Sequence, residues 1–155
     1  MTNWNSKEFI KSENLNEYYW HQGFFHEDFG KNDYYRRDFE ELRYRDLAIS
    51  SLGNIELKKI LDVGCGVEGL YTLTFLKLGA KHVSGQDIKD VCIKSVSNIC
   101  KKNGFLNFDI KTGNCEKLLF EDNNFDLVFS GDVFEHITYQ QKVNFINEIY
   151  RVLLP

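Results

Sequence analysis

Asp62, Gly64, Gly66 and Asp87 are the residues whose types and spacing point first to chemistry, and that chemistry is ligand binding. They stand in Ile60-Leu61-Asp62-Val63-Gly64-Cys65-Gly66-Val67-Glu68-Gly69 and in His82-Val83-Ser84-Gly85-Gln86-Asp87. Glycines at 64 and 66 let the backbone turn sharply and leave no Cβ between it and a ligand. A helix following the turn aims its free N–H groups at the same spot. Asp87 closes a second β-rich run, within reach of ribose hydroxyls. The whole reads as half of a nucleotide-binding βαβ unit. A glycine turn also occurs without a ligand wherever a strand meets a helix tightly. Gly64-x-Gly66-x-x-Gly69 with Asp87 also fits the spacing of a dinucleotide-dependent oxidoreductase. A pyrophosphate would meet Asp62 before the first glycine and Glu68 inside the turn, so a ligand carrying positive charge fits better.

These residues need a strand, a turn, a helix and a second strand to position them, and the pattern continues beyond that unit. Spacing predicts strands at 59–63, 82–86, 108–112 and 125–130. It predicts helices at 68–78, 89–103 and 139–153, the first stopped by Gly79 and the second by Gly104. Cys92, Val96, Ile99 and Cys100 form one apolar stripe on the second helix, and Ile146, Ile149, Tyr150 and Leu153 are expected on the inner face of the third. Such alternation predicts an α/β fold, a parallel sheet with right-handed crossovers. Residues 1–58 differ in texture, crowded with aromatics from Trp4 to Tyr44. A helix is expected from about Tyr34 to Leu52, with Tyr44, Leu47, Ala48 and Ser51 on one face and Gly53-Asn54 closing it. The organisation is thus a helical N-terminal cap or lid, 1–58, and a core, 59–155. The aromatics serve as a brace on the sheet edge, as the lining of a cofactor or substrate pocket, or as both.

Composition excludes several classes. The 155 residues are 43% hydrophobic and 15% aromatic, enough for a real core. Net charge is −4, and Arg36-Arg37 is answered by Asp38, Glu40 and Glu41, so no nucleic-acid footprint is expected. Cys65, Cys92, Cys100 and Cys115 have no C-x-x-C pairing and no signal peptide is evident, which reads as reduced thiols and a cytoplasmic location. No apolar run reaches the ~20 residues of a membrane helix, so no membrane insertion is expected. No histidine has metal-ligand spacing with a partner, so no metal is expected.

The Asp62-to-Gly69 stretch resembles motif I of the class I S-adenosylmethionine-dependent methyltransferases of the small-molecule, ubiquinone-biosynthesis-like type. That cofactor carries a sulfonium and an ammonium and no phosphate. The family reads Asp-x-Gly-x-Gly-x-Gly; here Glu68 takes the place of the third glycine and Gly69 follows one residue late. Thr112-Gly113-Asn114-Cys115-Glu116-Lys117-Leu118-Leu119-Phe120 resembles the family's adenine-binding segment, with Asn114 where an acid is usual. Phe125-Asp126-Leu127-Val128-Phe129-Ser130-Gly131-Asp132-Val133-Phe134-Glu135-His136 resembles its fourth-strand motif.

The resemblance implies a Rossmann-like, doubly wound parallel sheet of order 3-2-1-4. The family's last three strands are absent after Pro155, so a truncated chain is expected, with the fourth strand as a bare edge open to self-association or a partner. It implies S-adenosylmethionine as cofactor, S-adenosylhomocysteine as product, and methyl transfer to a small-molecule acceptor. Asp62, Gly64, Cys65 and Gly66 are then expected at the methionine end, facing the backbone of Ser130 and Gly131. Asp87 with Ile88 is expected at the ribose, and Asn114, Cys115 and Glu116 at the adenine. Asp132 and His136 follow the fourth strand, where a histidine near its ordinary pKa of about 6.5 can take a proton from the acceptor. His136 reads equally as a structural residue beside the cofactor. A non-catalytic cofactor-binding module is the alternative to an enzyme.

Overall fold

The computed structural model describes residues 48–155 of a chain that divides into two compact units, Met1–Ile55 and Glu56–Pro155. In the first unit, residues 48–51 are helical, and Gly53 ends them with a φ of 70°. Ser51, expected on one face with Ala48, is exposed, and its hydroxyl donates to the Ala48 carbonyl at 2.6 Å, while Ile49 is buried. The aromatic positions from Trp4 to Tyr44, on which the cap or lid reading rests, lie outside the described residues.

In the second unit β1 (Lys59–Val63), β2 (His82–Asp87), β3 (Phe108–Thr112) and β4 (Leu127–Phe129) form one parallel sheet of order β3-β2-β1-β4. The connections carry α1 (Leu70–Lys77), α2 (Asp90–Lys102) and, after β4, α3 (Tyr139–Val152). Ile60, Leu61 and Val63 are buried in the central strand, the continuous apolar run a strand covered on both faces requires. Asp62 interrupts that run and is buried with it.

Three expectations need correction. α1 starts at Leu70, not Glu68, because Gly69 holds a left-handed φ of 58° and completes the turn. A Cβ at Gly69 would lie 2.8 Å from Val96 Cγ1, so this glycine lets α1 sit close on α2. β4 is confined to Leu127–Phe129, and Phe125 instead bridges Leu153 in parallel, with the Leu154 N–H on the Phe125 carbonyl at 2.9 Å. Residues after α3 thus cover the chain at Phe125, just before β4, while β4 itself remains the edge strand, paired with β1 alone among the described residues. The inner face of α3 is Phe145, Ile149 and Val152; Ile146 and Tyr150 are 53% and 84% exposed.

Polar anchors explain that rotation of α3. Arg151 donates to Glu148, to Asp122 and to the carbonyls of Phe120 and Leu118, all at 2.7–2.9 Å. Glu148 accepts from the Leu118 N–H at 2.8 Å. These bonds hold residues 113–126, which join β3 to β4 without a helix. Thr138 and Gln141 form a capping box that starts α3. On the α3 side of the sheet lies an open groove of about 980 Å³ that includes His82, Ser84, Asp109 and Lys111. Within it Asp109 accepts from Ser84, contacts His82 Nε2 at 2.8 Å and lies 3.5 Å from Lys111 Nζ.

Candidate functional site

Gly64, Gly66 and Gly69 have φ of 79°, 64° and 58°, a backbone path that L side chains resist. The Gly64 N–H donates to the Gln86 carbonyl at 2.7 Å, tying the turn to the end of β2. A Cβ on Gly64 would stand 2.2 Å from Val133 Cγ2, so the segment after β4 rests directly on this glycine. A Cβ on Gly66 would meet no atom within 4 Å. The Gly66 N–H donates to Asp87 Oδ2 at 3.0 Å, and the Lys89 N–H donates to Asp87 Oδ1 at 3.0 Å. Ile88 between them is 67% exposed.

Asp62 is fully buried, and Thr72 Oγ1 of α1 donates to its Oδ2 at 2.6 Å. Its Oδ1 has no partner, nor has the buried Ser130 Oγ. These two atoms belong to the C-terminal ends of adjacent strands, since Asp62 pairs with Phe129 in register. β1 and β4 are also where the strand order reverses, and in open α/β sheets the crevice at that switch point receives the ligand. Burial pushes the Asp62 carboxyl up from 3.8 to about 6, with the Asp87 charge adding to the effect and the Thr72 hydrogen bond opposing it. Burial, together with Asp62, pushes the Cys100 thiol up to about 12; burial and then the two aspartates raise Cys65 further. Among the described residues no cation pairs with Asp62.

The remaining expected site residues are spread along the same edge. Asn114 turns inward on its own loop: its Oδ1 accepts from the Glu116 N–H at 2.9 Å and its carbonyl accepts from Gln86 Nε2 at 2.8 Å. Glu116 faces α3, accepting from Asn144 Nδ2 at 2.9 Å and Gln141 Nε2 at 3.1 Å. Cys115 between them is half-buried. Gly131 packs against α1, where a Cβ would lie 2.7 Å from the Tyr71 ring. Asp132 is exposed with φ 56°, and His136 is exposed in the short turn Phe134–His136, its ring 4.0 Å from Glu135.

Residue type and spacing do not single out Thr72, Gln86 or Val133, yet each shapes the site. Thr72 fixes Asp62. Gln86, buried, donates to the carbonyls of Asn114 and Lys117 and accepts from the Leu119 N–H, so it shapes the whole 113–119 loop. The available signal for these two is a polar residue inside an apolar run, as in Leu70-Tyr71-Thr72-Leu73 and Val83-Ser84-Gly85-Gln86.

A methyltransferase-domain family model matches residues 60–155. The chain belongs to this family. Among its relatives, the norajmaline N-methyltransferase of Rauvolfia serpentina is 33% identical over 101 residues, 63% of this chain and 33% of the relative. A SAM-dependent methyltransferase from Aquifex aeolicus shares the fold, with a TM-score of 0.63 at 23% identity over 71% of this chain and 58% of that one. So does a Haemonchus contortus phosphoethanolamine N-methyltransferase, solved with phosphoethanolamine and S-adenosylhomocysteine: TM-score 0.66, 17% identity, 97% of this chain and 31% of that one. The chain spans 28–44% of the length of the curated relatives it matches. Its class is the class I S-adenosylmethionine-dependent methyltransferases, and S-adenosylmethionine is the family's cofactor. Among the described residues of this methyltransferase domain no helix is long and apolar enough to cross a membrane, and no cluster of His, Cys, Asp and Glu is arranged to hold a metal ion.

Proposed function

We propose that the methyltransferase domain binds S-adenosylmethionine across the carboxyl ends of β1, β2 and β4 and methylates a small-molecule acceptor in the cytoplasm. The observation that carries this reading is the pair of unpartnered buried atoms, Asp62 Oδ1 and Ser130 Oγ, flanking the switch point. Two unsatisfied polar groups in a protein interior cost roughly 1–3 kcal/mol each, and a ligand's ammonium would answer the Asp62 oxygen. When bound, the cofactor supplies an electrophilic methyl group on a sulfonium.

The chain's own residues bind, orient and shield. Asp62 offers Oδ1 to the cationic end, and the backbone of Ser130 and Gly131, just past β4, serves the same end. Asp87, held at both oxygens by backbone N–H groups, keeps lone pairs for the ribose hydroxyls, because a carboxylate accepts about four hydrogen bonds. Ile88 covers the ribose side. In the 113–119 loop the exposed Asn114 amide oxygen accepts from the Glu116 backbone and keeps a lone pair for the adenine, beside the backbone and half-buried side chain of Cys115. Glu116 positions this loop by its bonds to α3. Val133 seats the following turn on Gly64, which brings Asp132 and His136 to the rim of the same edge, where His136 takes the acceptor's proton. Methyl transfer disperses charge, so alignment and exclusion of water supply much of the rate.

A second reading, a cofactor-binding module without catalysis, is favoured by one observation: the His136 side chain is 74% exposed. Isothermal titration of the chain with S-adenosylhomocysteine, with NAD as the control, tests the cofactor. Micromolar binding of the first alone is expected. Binding of NAD alone would replace the methyltransferase reading with a redox one.

A further inference from the structure

Asp62 and Thr72 form a pair whose geometry goes beyond holding a cofactor. The Thr72 hydroxyl takes one carboxylate oxygen at 2.6 Å and leaves the other without a partner. A threonine hydroxyl donates one proton, so it fixes the carboxylate's rotation and decides which oxygen stays open. Among the described residues, the titratable groups coupled to this carboxylate are all acids: Cys65 in the turn, Cys100 on α2 and Asp87 at the end of β2. α1 contributes Thr72, and Ser130 follows the end of β4, next in sequence to Phe129, which pairs with Asp62. No cation stands beside it among the described residues, and burial pushes the Asp62 carboxyl up from 3.8 to about 6.

Resting on the cofactor reading above, we propose that Thr72 is a positioning residue that orients Asp62 for the cofactor's ammonium, and that cofactor binding expels the Asp62 proton to solvent. Only the O–H bond of the Asp62 carboxyl breaks; the carboxylate left behind balances the ligand's positive charge. Binding is then linked to pH through Asp62 and tightens as pH rises through the carboxyl's titration.

The test is isothermal titration of the full chain with S-adenosylhomocysteine in buffers of different ionisation enthalpy, which counts protons released. Wild type is expected to release about half a proton near pH 6 and almost none near pH 7.5. Asp62→Asn should release none and bind with the same weakened affinity at both pH values. Thr72→Val removes the hydroxyl's hydrogen bond to the ionised carboxyl and keeps the contribution of the Thr72 backbone. It should move the release to higher pH and lower affinity near pH 6 by up to about tenfold, with a smaller effect near pH 7.5. Thr72→Ser should restore the wild-type profile. Binding by wild type with no proton release, or a Thr72→Val defect equal at all pH values, overturns this inference and leaves the cofactor reading standing. No binding by wild type at any pH overturns both.

Discussion

The Gly66 N–H donates to Asp87 Oδ2 at 3.0 Å, so the glycine turn after β1 and the acid ending β2 form one rigid unit. The Lys89 N–H on the other oxygen completes the clamp. Asp87 therefore has two duties, shaping the turn and, in the proposed function, receiving a ribose.

Asp87→Ala removes both. The expected loss of S-adenosylhomocysteine affinity is that of hydrogen bonds to a charged group, about 1.5–3 kcal/mol, or roughly 10- to 150-fold. Asp87→Asn keeps one carbonyl oxygen and should lose less. Titration calorimetry on the two variants checks the order.

Asp62 supplies a pH dependence with a definite sign. Its carboxyl binds its proton more tightly in the folded chain, about 6 against 3.8, so the free protein loses stability as pH rises between those values. The difference amounts to about 3 kcal/mol once the group is ionised. Asp62→Asn, which keeps an oxygen for Thr72, is expected to raise the denaturation midpoint of the free protein near pH 7.5 and to abolish this part of the pH dependence. Urea unfolding at about pH 5 and pH 7.5 measures it. Stability gained with affinity lost is the pattern of a site strained for its ligand.

Gly64 and Gly66 should respond differently to alanine. Both require a left-handed backbone, worth roughly 1–2 kcal/mol against a Cβ. At Gly64 the new methyl also collides with Val133, adding about 1–3 kcal/mol of overpacking. Gly64→Ala with Val133→Ala is expected to recover the overpacking part alone, a coupling that a double-mutant cycle reads from unfolding curves. Gly66→Ala meets open space, so it should fold and fail chiefly in ligand affinity.

Arg151 pins the β3–β4 connection to α3, and Arg151→Met should release it. Hydrogen exchange at the Leu118 and Leu119 amides is the readout, with faster exchange expected at both. Glu148, held below its ordinary carboxylate range chiefly by the Arg151 hydrogen bonds, contributes stability above the ordinary glutamate pKa that is lost as pH falls. In Arg151→Met this acid-side loss should shrink.

The sheet is legible in the sequence because each strand is a short apolar run and each helix carries a period of about 3.6, as at Cys92, Val96 and Cys100. Glycine positions announce the turn but not its length: Gly69 ends the turn with a left-handed φ, and the close approach of Val96 that excludes a Cβ there comes from across space. The face of α3 escapes periodicity for a related reason. Apolar spacing favours Ile146 and Tyr150, but the bonds of Glu148 and Arg151 to residues 118–122 turn those two outward. Asp62 and Asp87 stand out by type and spacing. Thr72 and Gln86 do not, since their meaning lies in partners 10 and 28 residues away.

The most direct test of the cofactor site is a titration of the isotopically labelled chain with S-adenosylhomocysteine, followed by amide proton–nitrogen correlation spectra. The expected result is that the largest shifts fall on Gly64, Cys65, Gly66, Asp87, Cys115, Ser130 and Gly131, at the carboxyl ends of the strands, with His82 and Asp109 at the opposite ends unmoved. Shifts centred on His82, Asp109 and Lys111, in the groove on the α3 side, would contradict the account.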